Sequence, residues 1–326
     1  MFAPRCARAV GIAAGYLADV ALADPSRGHP VALFGSAASA LERVTYADSR
    51  AAGALHTGAL LSALAALGLL TARSHTGRGA GWTAAATTAA TFTALGGTSL
   101  LRTGDRMAAL LRDGDIDGAR ALLPALCGRD PDALDPAGLT RAAVESVAEN
   151  TSDAQVAPLL WAAVGGVPAV LVYRGANTLD AMIGHRSPRY ARFGWAAARF
   201  DDLMNLVAAR VTAALTVVCA PLVGGSAAAS WRAWHRDARR HPSPNAGVVE
   251  AAFAGALGIR LGGPTRYTHR LEIRPTLGDG PAPDVADLSR AVRLSRAVQT
   301  AAAGLAVGLA GMLSAARSGR RVSPRR

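Results

Sequence analysis

The sequence predicts an all-α fold: a polytopic integral membrane helical bundle whose polar helical stretches form the active site. Three observations carry this expectation. Hydrophobic residues make up 51% of the 326 residues and charged residues 18%, with a mean hydropathy of +0.22; a soluble domain carries about 25% charged residues. Several apolar segments approach the roughly 20 residues that cross a bilayer as a helix. The formal net charge of +12 is carried by arginine alone, because the chain has no lysine, and those arginines lie between the apolar segments, as in cytoplasmic membrane loops.

The apolar segments are residues 3–23, 51–72, 81–101, 156–173, 206–230 and 297–316. The second, third and last contain no acidic residue. The second reads LHTGALLSALAALGLLTA, with small residues suited to close helix packing. The first follows Arg5 and Arg8 and ends Ala21-Leu22-Ala23, in imitation of a signal peptide, but Asp19 interrupts its apolar run. It is read as a retained first helix. Segment 156–173 contains Gly165-Gly166 and two prolines, Pro158 and Pro168. It is therefore expected to be re-entrant or packed within protein, where irregular backbone is tolerated. Residues 1–316 are read as one domain and 317–326 as a basic, disordered tail. No stretch alternates with strand periodicity over a useful length.

Several function classes are excluded. Without lysine there is no Walker A phosphate loop and no Schiff-base chemistry. Aromatic residues are only 5% and the arginines form no single patch, so nucleic acid is not the expected partner. Cys6, Cys127 and Cys219 share no metal-ligand spacing, and an odd number of widely separated cysteines gives no disulfide framework. No G-x-S-x-G, H-E-x-x-H or C-x-x-C motif occurs.

The chemistry is concentrated in polar stretches 102–155, 174–205 and 231–296. Arg141, Glu145, Glu149 and Asp153 recur every four residues, on one stripe of a helix, beside Asn150. Three acids on a stripe repel unless a cation compensates. They read either as a site for Mg²⁺ shared with phosphate or as a solvated face with Arg141 paired to Glu145. Arg174, Asn177 and Asp180 form a second group at helical spacing, and Arg199, Asp201, Asp202 and Asn205 a third. Each sets an arginine, an asparagine and an aspartate beside an apolar segment, a combination that holds a metal and an anion together or, singly, an ordinary cap or ion pair. A fourth, residues 235–267, carries Pro242, Pro244, Asn245 and Glu250, with Gly262-Gly263 allowing close backbone approach to a ligand. His241 there is an acid–base candidate or a satisfied structural histidine.

Five stretches occur in a familiar order: HPVALFG (29–35), RAAVESVAENTSDAQVAPLLWA (141–162), NTLDAMIG (177–184), FGWAAARFDDLMN (193–205) and HPSPNAGVVEAAFAGALGIRLGG (241–263). With them the chain resembles the CobD/CbiB family, the adenosylcobinamide-phosphate synthases of cobalamin biosynthesis, from about residue 11 to residue 316. The resemblance implies a multi-pass protein of the cell membrane that ligates the corrin carboxylate of adenosylcobyric acid to (R)-1-aminopropan-2-ol or its O-phosphate. It also implies ATP as co-substrate with Mg²⁺, and other membrane enzymes of the pathway as partners. No segment carries a recognised ATP fold, so the nucleotide rests on resemblance alone. Departures are Arg174 where relatives commonly have lysine, Ala181 for serine, His185 for tyrosine, Ala208 for proline and Thr265 for asparagine. The exchange at Arg174 keeps the charge but changes the hydrogen-bond geometry.

On that resemblance, metal binding is assigned to Glu145, Glu149, Asp153, Asp180, Asp201 and Asp202. Catalytic roles fall to Glu145, Glu149, Asp180, Asp202 and, as base, His241. Substrate contacts fall to His29, Asn150, Arg174, Asn177, Arg199, Asn205, Ser243, Asn245, Arg260, Gly262 and Gly263. The alternative from another class is a non-enzymatic corrinoid transporter or a scaffold of the pathway, since intramembrane carboxylates and arginines suit a transport path too.

Overall fold

The structure is a computed structural model that describes residues 6–24, 28–73, 79–185, 187–267 and 270–319. In chain order the helices begin α1 (Ala7–Leu22), α2 (Pro30–Thr45), α3 (Arg50–Arg73), α4 (Gly79–Ala94), α5 (Gly97–Arg112), α6 (Ile116–Leu122) and α7 (Pro136–Thr151). A π-helical turn, Ser152–Val156, joins α7 to α8 (Ala157–Leu179), and a second, Asp180–Gly184, ends α8. Then come α9 (Tyr190–Phe193), α10 (Trp195–Cys219), α11 (Ala227–Asp237) and α12 (Ala246–Leu257). Strands β1 (Leu261–Tyr267) and β2 (Arg270–Leu277) precede the long α13 (Val285–Gly319).

Four stretches are helices long and apolar enough to cross a membrane: Arg50–Arg73, Pro136–Gly184, Trp195–Val223 and Val285–Ala316. They contain apolar segments 51–72, 156–173 and 297–316 and most of 206–230. One expected span is corrected. Segment 81–101 is not one helix, because α4 stops at Ala94 and α5 starts at Gly97. Its glycines Gly96-Gly97 break a pattern whose apolar count alone suggested continuity. Of segment 3–23, residues 3–5 lie outside the described residues, and the rest forms the 16-residue α1. The expected disordered tail lies largely in residues 320–326, outside the described residues. All three cysteines are free thiols.

Contacts group the chain into two compact units. The first comprises Met1–Gly96, Ala157–Met204 and Ala302–Arg326. In it Gly11 and Gly15 of α1 lie against Thr87 and Thr91 of α4, so close that a Cβ at either glycine would sit 2.6–2.7 Å from a threonine Cβ; small residues one turn apart permit this approach. Helix α8 loses helical geometry at Gly166, with φ 67° and ψ −152°, values that glycine alone adopts at low cost. Pro168 has no N–H for the Val164 carbonyl. The Arg8 guanidinium of α1 supplies the missing donor, reaching the carbonyls of Ala163 at 3.2 Å and Val164 at 3.4 Å. The apolar centre of this unit is Ala38, Leu61, Ala176, Leu179, Ile183, Phe193 and Ala197.

The second unit comprises Gly97–Val156 and Asn205–Ala301. Its middle is α12, every residue of which is buried. A helix apolar all round belongs in a core. Gly255 brings α12 against α11, where an added Cβ would meet the Ala229 carbonyl oxygen at 2.4 Å, and the Ser230 hydroxyl donates to the Ala252 carbonyl at 2.8 Å. Arg290 of α13 donates to the Leu257 carbonyl at 2.9 Å, capping the α12 C-terminus. Strands β1 and β2 form an antiparallel hairpin with Gly263 opposite Arg274 and an irregularity between Leu261 and Gly263. The sequence reading expected no strand here. The hairpin was hard to read because β1, with Gly262-Gly263-Pro264, alternates no apolar face, although β2 alternates Leu271, Ile273 and Leu277 with Glu272, Arg274 and Thr276.

One buried acid of this unit makes stability depend on pH. The carboxylate of Asp237, 1% exposed, accepts from Arg236 Nε at 2.7 Å, Arg236 Nη2 at 2.6 Å and the Gly278 amide at 2.9 Å. Burial alone would raise its pKa, but these bonds together hold it below the usual carboxylate range. A depressed folded pKa gives stability that is present above the unfolded value of about 3.9 and is lost as pH falls through the folded value. Asp237→Asn is therefore expected to lower stability near neutral pH by roughly 1–3 kcal/mol. The gap between variant and parent should close as pH falls below the unfolded value of about 3.9 and through the lower folded value. Unfolding curves of the detergent-solubilised proteins across that pH range check this.

Candidate functional site

The second unit assembles one densely charged site. Asp135 caps α7, its carboxylate accepting from the Gly138 amide at 2.7 Å, and Pro136 takes the first helical position. Helix α7 thus starts where its sequence signals it, and its stripe turns inward. Glu145 is 1% exposed. One of its oxygens is ion-paired to Arg129, itself 7% exposed, and the other accepts the Gly262 amide at 2.7 Å. The solvated-face alternative with Arg141 paired to Glu145 is corrected: Arg141 Nη2 instead donates to the Pro264 carbonyl at 2.6 Å.

Glu149, one turn further, is half-buried; its backbone carbonyl accepts the Ser152 amide, and its side chain makes no hydrogen bond among the described residues. Asp153 lies in the π-helical turn, whose extra residue per turn takes it off the α-helical stripe. Asn150 donates to the Ser146 carbonyl at 3.0 Å.

Two residues that sequence reasoning did not assign complete this site. Glu250 of α12 is fully buried, with Arg274 of β2 at 3.6 Å and His241 Nε2 at 3.9 Å. Neither of its oxygens accepts a hydrogen bond. Burial, then the charges of Glu145 and Glu149, push its carboxyl well above the usual range against the pull of Arg274 and Arg129. The signal that would have found it is a lone acid in the apolar run AGVVEAAFAGAL, since acids are almost never fully buried unless paired. Arg129 was hidden among Asp130 and Asp132, its neighbours in sequence, whereas its partner is 16 residues away.

His241 is 8% exposed, and its Nδ1 lies 3.1 Å from the Ser243 amide, which donates to it. The Ser243 carbonyl lies 3.3 Å from the same nitrogen, and Nε2 faces Glu250 at 3.9 Å. The Ser243 hydroxyl accepts the amides of Asn245 and Ala246 at 3.3 and 3.1 Å, opening α12. Asn245 Oδ1 accepts from Arg210 at 2.9 Å. Asn205 is buried and Arg260 exposed. Gly263, at φ 88°, lies beside the Arg141 guanidinium.

The first unit holds the remaining assigned residues in smaller pairs. Arg174 donates to Asn177 Oδ1 at 3.2 Å, and its Nε has no hydrogen-bond partner although buried. Asp180 opens the second π-helical turn. Arg199 and Asp202 pair at 3.2 Å, and Asp201 is 8% exposed. His29 caps α2, its Nδ1 accepting the Val31 amide at 3.2 Å with Asp24 on Nε2 at 3.4 Å. That arrangement accounts for the histidine as a helix cap.

No group of three His, Cys, Asp or Glu side chains among the described residues is placed to hold one metal ion. The donor set of the second unit nonetheless fits one mode: Mg²⁺ commonly takes one or two carboxylates and completes its shell with water and phosphate oxygens. Glu149, whose side chain makes no hydrogen bond among the described residues, and Glu250, with two bare oxygens, are the carboxylates left to do so. Glu145 is committed to Arg129 and Gly262.

A mainly helical chain with four helices long and apolar enough to cross a membrane, and a buried carboxylate–guanidinium cluster, has the build of a polytopic membrane protein. The family profile described as "CobD/Cbib protein" matches residues 12–295, and the chain belongs to that family of cobalamin biosynthesis proteins. It is 66% identical over 300 residues to a cobalamin biosynthesis protein CobD of Mycobacterium tuberculosis, covering 92% of this chain and 95% of the relative. A CobD of Chromobacterium violaceum is 43% identical over 85% of this chain and 89% of its own length. A CobD of Pelobacter propionicus is 42% identical over 82% of this chain and 84% of its own length. No solved structure matches the chain.

Proposed function

We propose that this protein forms the amide between the corrin carboxylate of adenosylcobyric acid and (R)-1-aminopropan-2-ol or its O-phosphate, with ATP consumed, in the cell membrane. The observation that carries the reading is the convergence of Glu145, Glu149 and Glu250 with Arg129, Arg274 and His241 in one buried site. Membership of a cobalamin biosynthesis family gives the corrinoid.

Amide formation from a carboxylate needs an activated acyl group. In an ATP-dependent ligase the carboxylate takes the γ-phosphoryl group with release of ADP; the amine then attacks the acyl carbon, loses a proton and expels phosphate. The demands on the protein are compensation of phosphate charge, orientation of the acid and acceptance of the amine proton. Arginine forks suit phosphate and carboxylate, and Arg141 and Arg174 each keep a buried Nε without a partner. Glu149 lacks a hydrogen-bond donor of its own, which leaves it available as proton acceptor or metal ligand. Mg²⁺, when bound, would supply charge neutralisation at the phosphate. Asp180 and Asp202, with Arg174 and Arg199, are proposed for the same reaction.

Membranes containing the protein, supplied with adenosylcobyric acid, aminopropanol or its phosphate, and ATP with Mg²⁺, should form the amide product. Glu149→Ala and Asp180→Ala should each reduce that conversion to background while the protein still inserts in the membrane. Full activity in either variant overturns the role of that residue. Corrinoid binding or movement without amide formation by the parent protein would favour a transporter instead.

A further inference from the structure

Glu250 is the one acid of an otherwise apolar helix. It lies midway along α12, whose twelve residues are all buried. Its two oxygens accept no hydrogen bond, and its nearest cationic atoms, at 3.6 and 3.9 Å, lie beyond normal hydrogen-bond length. A carboxylate buried this way costs several kcal/mol unless something else meets its charge. The site makes the deficit larger: Glu145 already occupies Arg129, and Glu145 and Glu149 both repel Glu250. What is missing is a cation that binds bare carboxylate oxygens.

We propose that Glu250 and Glu149 are the protein's half of a divalent-cation site that a phosphate group completes. The ligand class follows from the donors: all are oxygens, which selects a hard cation such as Mg²⁺. No three His, Cys, Asp or Glu side chains among the described residues are placed to hold one ion, so two carboxylates would need water and phosphate oxygens to complete the shell. Arg141, on the same stripe of α7 as Glu149 and with a buried Nε lacking a partner, supplies a donor for the phosphate. The inference deepens the proposed ligation, and rests on it only for where the phosphate comes from.

The test uses the full chain in detergent or nanodiscs, with Mn²⁺ in place of Mg²⁺ and inorganic phosphate as the second ligand. Free Mn²⁺ is followed by electron paramagnetic resonance and thermal unfolding is recorded in parallel. The parent protein should bind Mn²⁺ more tightly with phosphate than without it. Glu250→Gln should weaken that binding by at least about tenfold, as even outer-shell changes at metal sites do, and should abolish the Mn²⁺-induced rise in unfolding temperature. Without metal the same variant should be at least as stable as the parent, because a like-charge contact has gone. A metal-free Glu250→Gln protein that is destabilised yet binds Mn²⁺ as the parent does would show a purely structural glutamate and overturn the proposal. Should Glu250→Gln fail to fold, Glu250→Asp keeps the charge and withdraws the oxygens; weakened Mn²⁺ binding supports the proposal and parental binding overturns it. Because no turnover is measured, a protein that binds Mn²⁺ through Glu250 but forms no amide would sink the ligation and leave the metal site standing.

Discussion

Arg129→Met should destabilise the protein by about 3–5 kcal/mol, the cost of removing one partner from a buried ion pair. Glu145, 1% exposed, would keep only the Gly262 amide as a donor. The loss extends beyond that pair, because the Arg129 charge also acts favourably on Glu149 and Glu250. The magnitude comes from stranding a carboxylate and not from the net worth of the pair, and this distinction can be measured. Replacing both partners, as Arg129→Met with Glu145→Met, removes the stranded charge and should recover most of the stability, since apolar replacements of buried pairs are often neutral or better. A double-mutant cycle on unfolding in detergent gives the coupling. If the double variant is as unstable as the sum of the singles, Glu145 and Arg129 act independently and the account of the site fails.

How much of this site is legible in sequence depends on the range of the interactions. The helical fold was legible because it depends on length and apolar content, which local windows contain. The Arg141–Glu145–Glu149 stripe was legible for the same reason, its spacing being a property of one helix. The partner of Glu145 was not, because Arg129 stands in a loop among aspartates and the pairing is made by the return of that loop to α7. Glu250 is coupled to Glu145 and Glu149 across more than a hundred residues of chain, and only the fold brings them together. Asp153 fell off its stripe because a π-helical turn, invisible to a fixed period, intervenes. His29 caps α2, and the Ser243 hydroxyl accepts amides at the start of α12, local roles that His-Pro and Ser-Pro-Asn turns signal.

Gly262→Ala is expected to be the other severe change, by roughly 3 kcal/mol or more, from two causes that add. Gly262 has φ 84°, a region costly to any residue with a Cβ, and that Cβ would lie 2.1 Å from the Pro275 carbonyl oxygen of β2. A backbone oxygen in a strand cannot swing aside, so the hairpin must shift. The Gly262 amide would then leave Glu145, losing a hydrogen bond to a charged acceptor of about 1.5–3 kcal/mol. Gly263→Ala is the control. Its φ of 88° imposes similar strain, but among the described residues the only atom an added Cβ meets is Arg141 Nη1 at 3.3 Å, the end of a flexible side chain. It should cost only the strain, about 1–3 kcal/mol, and leave the Glu145 hydrogen bond in place. The difference between the two variants in thermal unfolding isolates the contact between the hairpin and the carboxylate. Equal stability of the two would mean that Gly262 is required for its backbone angle alone and that β1 does not hold Glu145 in position.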